Sequence, residues 1–502
     1  MKRKTMKRFV VVLLVISMLA IAGCGSKSTN TEPGNNNVGE PVKIEIMANN
    51  YGTNPPQNDF VKEALDEALD TDITLTLGSA DYATQLGTRI ASGDFPDMFM
   101  LGSEELRKYS KMGVLLDLTP YMDQLSGYKE MVDADTIKLG LIDGKQYSLP
   151  KPIARKPAGI LWIRKDWLDN LGLKVPTTTD ELLKVLKAFT ENDPDGNKKK
   201  DTYGFTGNDL TAFNALFGAY GLTNGGAQFI SRDGKAINVL DQPEMKDALE
   251  LIKQYISSGV VDPDVMSNTV SQLFEKASQG KAGVIYTDWT NIMKDDKVAI
   301  WKNANPQADW IALNPVAGPT GVAYDGHSDI GAPSEMFAIS KNVEKDPEKL
   351  NKIIEMLNYV STGEGAQLVQ FGIKDTHFTE TDGKITITDL GQQETNYTFL
   401  YQFTGRPNLE YLKVKFPNQV QYIEETFRRE FIEALDGFIV PPDGFNKADS
   451  DRYITEEFIK FIYNKRPISE YNDFLKTLDS TFNYKLYKES AFEQLAKLGY
   501  SQ

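Results

Sequence analysis

Hydrophobic and polar positions follow two periods along this chain, and the period switches repeatedly. Val42–Met47 (VKIEIM) alternates and predicts a strand. From Asn58 to Leu69, apolar residues fall at Phe60, Val61, Ala64, Leu65, Ala68 and Leu69, the spacing of one helix face. Ile73–Leu77 is again a strand, Tyr82–Ala91 a helix and Asp97–Leu101 a buried strand. The order β-α-β-α-β predicts a parallel α/β sheet. A second α/β unit follows. Its strands are Gly159–Arg164, Tyr203–Thr206, Gly283–Tyr286 and Trp310–Leu313, and its helices lie at 165–171, 179–192, 243–258 and 270–279. Met336–Ser340 returns as a strand, Asp346–Ser361 is a helix behind the Pro347 start signal, and Thr376–Thr388 is a hairpin turning at Asp382-Gly383. From 417 onward the pattern is mostly helical, with breaks near Pro441-Pro442 and Pro467. The reading is two α/β lobes joined more than once. Lobe 1 takes 41–150 and about 330–390, and lobe 2 takes 151–329 and about 391–465. Helices of 466–502 pack on the lobes. Open α/β sheets bind ligands beyond the carboxyl ends of their strands, so facing lobes form a cleft that a hinge can close.

The first residues follow neither period. Lys2, Arg3, Lys4, Lys7 and Arg8 precede an apolar run from Phe9 to Ala22. That run is shorter than the roughly 20 residues a membrane span needs, and its flanks are those of a signal peptide. It ends at Ile21-Ala22-Gly23-Cys24, small residues before a lone cysteine in the manner of a lipobox. The expected processing is cleavage after residue 23 and acylation of the Cys24 thiol and amine. After Cys24, residues 25–40 have one lone hydrophobe, Val38, and cannot bury enough to fold, which makes 24–40 a lipidated cysteine on a flexible tether. The expectation is a body held on the extracellular face of a membrane by its lipid.

Composition narrows the chemistry. Of 502 residues, 41% are hydrophobic and 25% charged, globular proportions sufficient for two or three domains. A net charge of −15 argues against nucleic acid, whose phosphates need clustered Lys and Arg. Cys24 is the one cysteine, and His327 and His377 are the only histidines, so neither a zinc site nor a Ser-His or Cys-His nucleophile system is expected.

Four stretches then carry a resemblance: Ser92-Gly93-Asp94-Phe95-Pro96-Asp97; Asp143 to Pro150 (DGKQYSLP); Arg164-Lys165-Asp166-Trp167-Leu168 with Leu171-Gly172-Leu173 and Pro176-Thr177; and Asp193-Pro194-Asp195-Gly196-Asn197 to Asp201. With Phe274 to Ala282 and Gly363-Glu364-Gly365, this ordered set resembles the larger extracellular solute-binding lipoproteins of carbohydrate ABC importers, family 1. The resemblance implies a type II periplasmic-binding-protein fold, an oligosaccharide ligand, permease subunits as partners, a monomer and no catalysis. A departure lies at Gly372 to His377, where relatives carry Glu-Gly before the His position.

Sugars offer hydroxyls to polar groups and C–H faces to aromatic rings. Loops after strands therefore propose Asn49 and Tyr51, then Asp81, then Asp288 with Trp289 as a carboxylate beside an aromatic plate. Glu335 begins a returning strand, and Tyr401 and Arg406, with Tyr397, lie on a polar-aromatic stretch. Trp162 and Trp167 read as core. Lys151, Arg155 and Lys156 follow Pro150 and would suit a uronic acid, because Arg pairs bidentately with carboxylates. Asp193, Asp195, Asn197 and Asp201 stand at positions 1, 3, 5 and 9 of one loop, with the Lys199 carbonyl at 7, a spacing that converges oxygens on Ca2+. The loop is similar to the calcium loop of alginate-binding relatives, although Thr202 stands where those often carry a further carboxylate. The rival readings are a secreted glycoside hydrolase, which needs two carboxylates about 5–10 Å apart, and a peptide-binding importer lipoprotein.

Overall fold

The first helix exemplifies how the pattern becomes structure. Asp59 caps Phe60–Leu69 by accepting the N–H groups of Val61 and Lys62, and Val61, Leu65 and Leu69 turn inward. Asp70, left-handed at φ 53°, stops the helix and releases the chain into strand Thr71–Gly78. The computed structural model describes residues 40–78, 81–333 and 335–501. Cys24 and its tether lie outside the described residues.

The first lobe is built on a five-stranded sheet ordered Thr71–Gly78, Val42–Asn49, Met98–Leu101, Met336–Ile339, Leu149–Pro150. The first three run parallel, as the β-α-β-α-β order predicts. The returning strand lies antiparallel, with Met336 opposite both Leu101 and Pro150. Its entry at Glu335 therefore shares one edge with the carboxyl ends of Val42–Asn49, Met98–Leu101 and Leu149–Pro150.

The second lobe carries two sheets. One is ordered Trp310–Ala312, Ile160–Arg164, Ala282–Thr287, Tyr203–Thr206, with only its last pair parallel. The other joins Lys235–Asn238, Phe229–Arg232, Ile432–Ala434 and His327–Asp329. This second sheet was not expected, and Ile432–Ala434 lies in a stretch read as mostly helical. A strand of three residues leaves no measurable period between helices.

Separate cores underlie the lobes. The first gathers Ile44, Leu65, Phe99, Leu149, Phe337 and Leu357, and continues through Tyr397, Leu400, Tyr401 and Phe403. The first lobe thus keeps residues that a boundary near 391 assigned to the second. The second lobe's largest core includes Trp167, Phe229 and Tyr255, and the C-terminal helices Tyr471–Phe482 and Tyr484–Lys497 add Phe474, Tyr487 and Leu495 to it. A smaller cluster collects Trp162, Trp289, Trp301 and Trp310. The chain passes between the lobes after Pro150 and before Ile160, after Asp329 and before Met336, and after Phe403 and before Asn408. Among the described residues no helix is long and apolar enough to cross a membrane.

The quoted motifs build this frame. Gly93, at φ 83°, ends helix Tyr82–Ser92. Arg89 ties Glu45 to Asp94, and Asp97 accepts the Glu45 N–H and pairs with Lys349 at 3.0 Å. Arg164 is buried, ion-paired with Asp166 at 2.6 Å, and lies over the rings of Trp167 and Trp310.

Candidate ligand-binding site

A cavity of about 590 Å³ opens where lobe-1 residues Tyr51, Lys151, Glu335 and Phe399 meet Thr290, Lys294, Tyr411, Lys415 and Phe416, with Arg406 between them. Its volume suits a small-molecule or short-oligomer ligand.

Tyr51 is presented by a tight turn. Its backbone sits in the left-handed region at φ 47°, followed by Gly52 at φ 79°, and the Asn49 and Asn50 side chains accept the N–H groups of Tyr51 and Gly52. Asn49 thus serves the turn and does not line the cavity. The Tyr51 hydroxyl donates to Glu335 Oε1 at 2.7 Å, and burial, then the Glu335 charge, keep that phenol protonated. Glu335 also pairs with Lys151, whose N–H donates to the Glu335 carbonyl at 3.0 Å. Burial alone would raise the Glu335 carboxyl, but Lys151 and Tyr51 carry it below its ordinary range. Lys151 is lowered by burial, opposed by Glu335 and reinforced by Arg406.

The remaining cations lack such a partner. Among the described residues Glu335 is the only carboxylate lining the cavity. Arg406 stacks 3.9 Å above the Tyr411 ring and donates from Nη1 to Gln402 Oε1 at 2.5 Å, while its Nε is buried without an acceptor. Lys415, nine-tenths buried, donates to the Thr395 carbonyl and hydroxyl. Burial, and then the Arg406 charge, lower its amine to about 8. Lys294 lies 5.1 Å over the Phe416 ring.

The other expected ligand residues take different places. Trp289 is buried edge-on against Phe416, so its ring supports the cavity from behind and offers no plate. Asp288 caps the turn after Ala282–Thr287 through Thr290 N–H and pairs with Lys156 at 2.7 Å. Tyr401 and Tyr397 are core residues whose hydroxyls donate to Asp59, the helix cap. Asp81 begins helix Tyr82–Ser92 and accepts from Gln85, outside the cavity. The basic cluster after Pro150 disperses: Lys151 enters the cavity, Lys156 takes Asp288, and exposed Arg155 turns toward Asp133 and Tyr500. Lys294 and Lys415 were missed, because each closes or opens a helix far from the motifs.

The Asp193–Asp201 loop folds on itself. Asn197 donates to Asp195 at 2.8 Å and to Asp201 at 3.2 Å, and its own oxygen accepts the Lys199 N–H at 2.7 Å. Asp193 Oδ2 accepts the Lys198 N–H, while its Oδ1 is buried without a partner. Burial, with the Asp193 and Asp201 charges, raises the Asp195 carboxyl. The donors are all oxygen, as a hard cation prefers. They do not form a closed shell: among the described residues no three His, Cys, Asp or Glu are drawn together as a metal centre.

Residues 54–367 match the family described as bacterial extracellular solute-binding protein. The chain is 29% identical over 396 residues to a polygalacturonan/rhamnogalacturonan-binding protein, YtcQ, of Bacillus subtilis, covering 74% of this chain and 75% of that one. It is 28% identical over 431 residues to lipoprotein LipO of the same organism, covering 82% and 80%. The fold aligns with the substrate-binding protein FusA of Streptococcus pneumoniae in complex with kestose, at a TM-score of 0.67 and 20% identity, covering 91% of this chain and all of that one.

Proposed function

The chain belongs to the bacterial extracellular solute-binding proteins and has their type II periplasmic-binding fold, and on that premise we propose that it captures an acidic, uronate-containing oligosaccharide for an ABC importer. The observation that carries this reading is the interlobe cavity, which is lined by the aromatic residues Tyr51, Phe399, Tyr411 and Phe416 and where, among the described residues, Lys151, Lys294, Arg406 and Lys415 face a single acid. Rings suit the C–H faces of a sugar, and excess cations suit its carboxylates. A relative named for polygalacturonan supports the acidic class, and a fold neighbour holding kestose supports an oligosaccharide without bearing on its charge.

Binding and release is the whole task in this reading. Among the described residues no second carboxylate lines the cavity to act with Glu335 on a glycosidic bond, and Glu335 is engaged by Lys151 and Tyr51. The protein acts as a monomer held at the extracellular face of the membrane by a lipid on Cys24, and it delivers its ligand to the permease subunits. The Asp193–Asp201 loop takes Ca2+ through Asp193, Asp195, Asn197, Asp201 and the Lys199 carbonyl. The orphaned Asp193 oxygen and the mutual repulsion of the carboxylates favour such an ion.

A thermal-shift panel of oligosaccharides tests this. A specific ligand at 100 times its Kd adds about 2.7 kcal/mol of stability, a clear rise in Tm. The acidic oligomers are expected to give it; a flat response across all sugar classes sinks the proposal. In the same panel EDTA is expected to lower Tm and added Ca2+ to restore it. An unchanged Tm removes the calcium assignment alone.

A further inference from the structure

Each of the three segments that cross between the lobes brings a charged side chain to one spot: Lys151 from the first, Glu335 from the second and Arg406 from the third. Lys151 and Glu335 neutralise one another. Arg406 and Lys415 face the same cavity, near enough for the Arg406 charge to act on the Lys415 amine; the Arg406 charge also reaches Glu335, but among the described residues no carboxylate hydrogen-bonds or ion-pairs with either cation. The guanidinium is fixed flat by Tyr411 and steadied at one end by Gln402, with its Nε unpartnered. A planar fork held in this way matches a carboxylate in two parallel hydrogen bonds. Two half-buried or buried cations that share one carboxylate already paired with Lys151 are costly, and that cost is relieved when a further anion arrives.

We propose that Arg406 and Lys415 form a clamp for one free uronate carboxylate at the crossing of the interlobe segments, so that the protein selects the acid over its methyl ester. This rests on the reading of the cavity as an oligosaccharide site. An ester keeps the ring faces and hydroxyls of the sugar but leaves both cations unpaired. The ligand is therefore supplied by a reaction class that frees carboxylates, ester hydrolysis of a polyuronate followed by cleavage of its chain. Here Arg406 and Lys415 determine specificity, while Tyr51, Phe399 and Phe416 bind acid and ester alike.

Titration calorimetry with tri-galacturonate, its full methyl ester and a neutral trisaccharide tests the clamp in wild type, Arg406→Gln, Arg406→Lys and Lys415→Met, with Glu433→Gln on the far lobe as control. Wild type is expected to bind the acid about 100-fold tighter than the ester, the scale of a well-made charged pair. Arg406→Gln and Lys415→Met are expected to bring the acid down to the level of the ester and leave the ester unchanged, while Arg406→Lys recovers part of the gap. Equal affinity for acid and ester in wild type overturns the clamp. So does an equal loss of both ligands in Arg406→Gln with its Tm retained. If only the neutral sugar binds, the clamp falls and oligosaccharide capture stands; if no sugar binds, both fall.

Discussion

Two large concavities among the described residues are opposites. A groove of about 1350 Å³ on the second lobe is lined by Asp180, Asp233, Glu244, Asp247, Glu250, Glu430 and Glu433 against Arg232 and Lys253. The interlobe cavity is less than half that size, yet it gathers four cations against one acid. Size alone would choose the groove. In a chain of net −15, however, an acidic groove is what composition supplies anyway, and it keeps the surface soluble. A cation-rich cavity runs against composition, and its unpaired charges cost stability. The lesson is to look where a protein carries an uncompensated expense.

The sharpest way to break this contrast is to reverse charge on each side. Lys415→Glu is expected to weaken binding of an acidic trisaccharide by about 100-fold or more, since it replaces an attraction by a repulsion in a buried site. Glu433→Lys in the groove is expected to change it by less than about twofold. Calorimetry on both variants decides; equal effects would erase the distinction between the two concavities.

A smaller effect follows from the Lys415 amine, lowered to about 8 by burial and by Arg406, with Lys151, Lys294, Glu335 and the Tyr411 hydroxyl also facing the cavity. A bound carboxylate favours the protonated amine and raises that value. Affinity is then full below pH 8 and falls as pH rises past it, by no more than about tenfold per unit for one proton. Lys415→Met should flatten the profile between pH 7 and 9.

The smallest effect concerns acids hidden inside the second lobe. Burial pushes Asp325 and Asp436 up to about 7, against Arg429 for the first and two backbone N–H donors for the second. Their folded values exceed the unfolded ones, so ionising them costs stability. That cost is absent below about pH 4 and grows as pH rises to about 7, so Tm should fall across that window. Asp325→Asn should remove part of the slope in a calorimetric scan, because the amide does not ionise in this buried place opposite Arg429.

How much of this was legible in the sequence differs between frame and site. The strands and helices of the first lobe follow from period, and Ser92–Asp97, Asp143–Pro150 and Arg164–Leu168 read as a family because they fix turns, caps and a buried ion pair. The cavity lies mostly outside those motifs. Tyr51 and Glu335 were reachable because each stands where a strand ends or begins, and Arg406 because it lies on a polar-aromatic stretch. Trp289 and Tyr401 misled, since an aromatic residue at a strand's end reads the same whether its ring faces a ligand or the core. Lys415 gave no signal: a lysine in the last turn of Asn408–Lys415 reads as a helix-dipole partner. What brings it to Arg406 is packing between distant segments, which no local spacing encodes.

Lys151, Glu335 and Arg406 stand on the strips of chain about which the lobes would swing. Points near a pivot travel least. A guest moored there by its charged end would keep that grip while the jaws open and shut, and only its far sugars would be swept by the moving walls. Length and branching of the guest would then govern closure, and its first charged unit would govern capture.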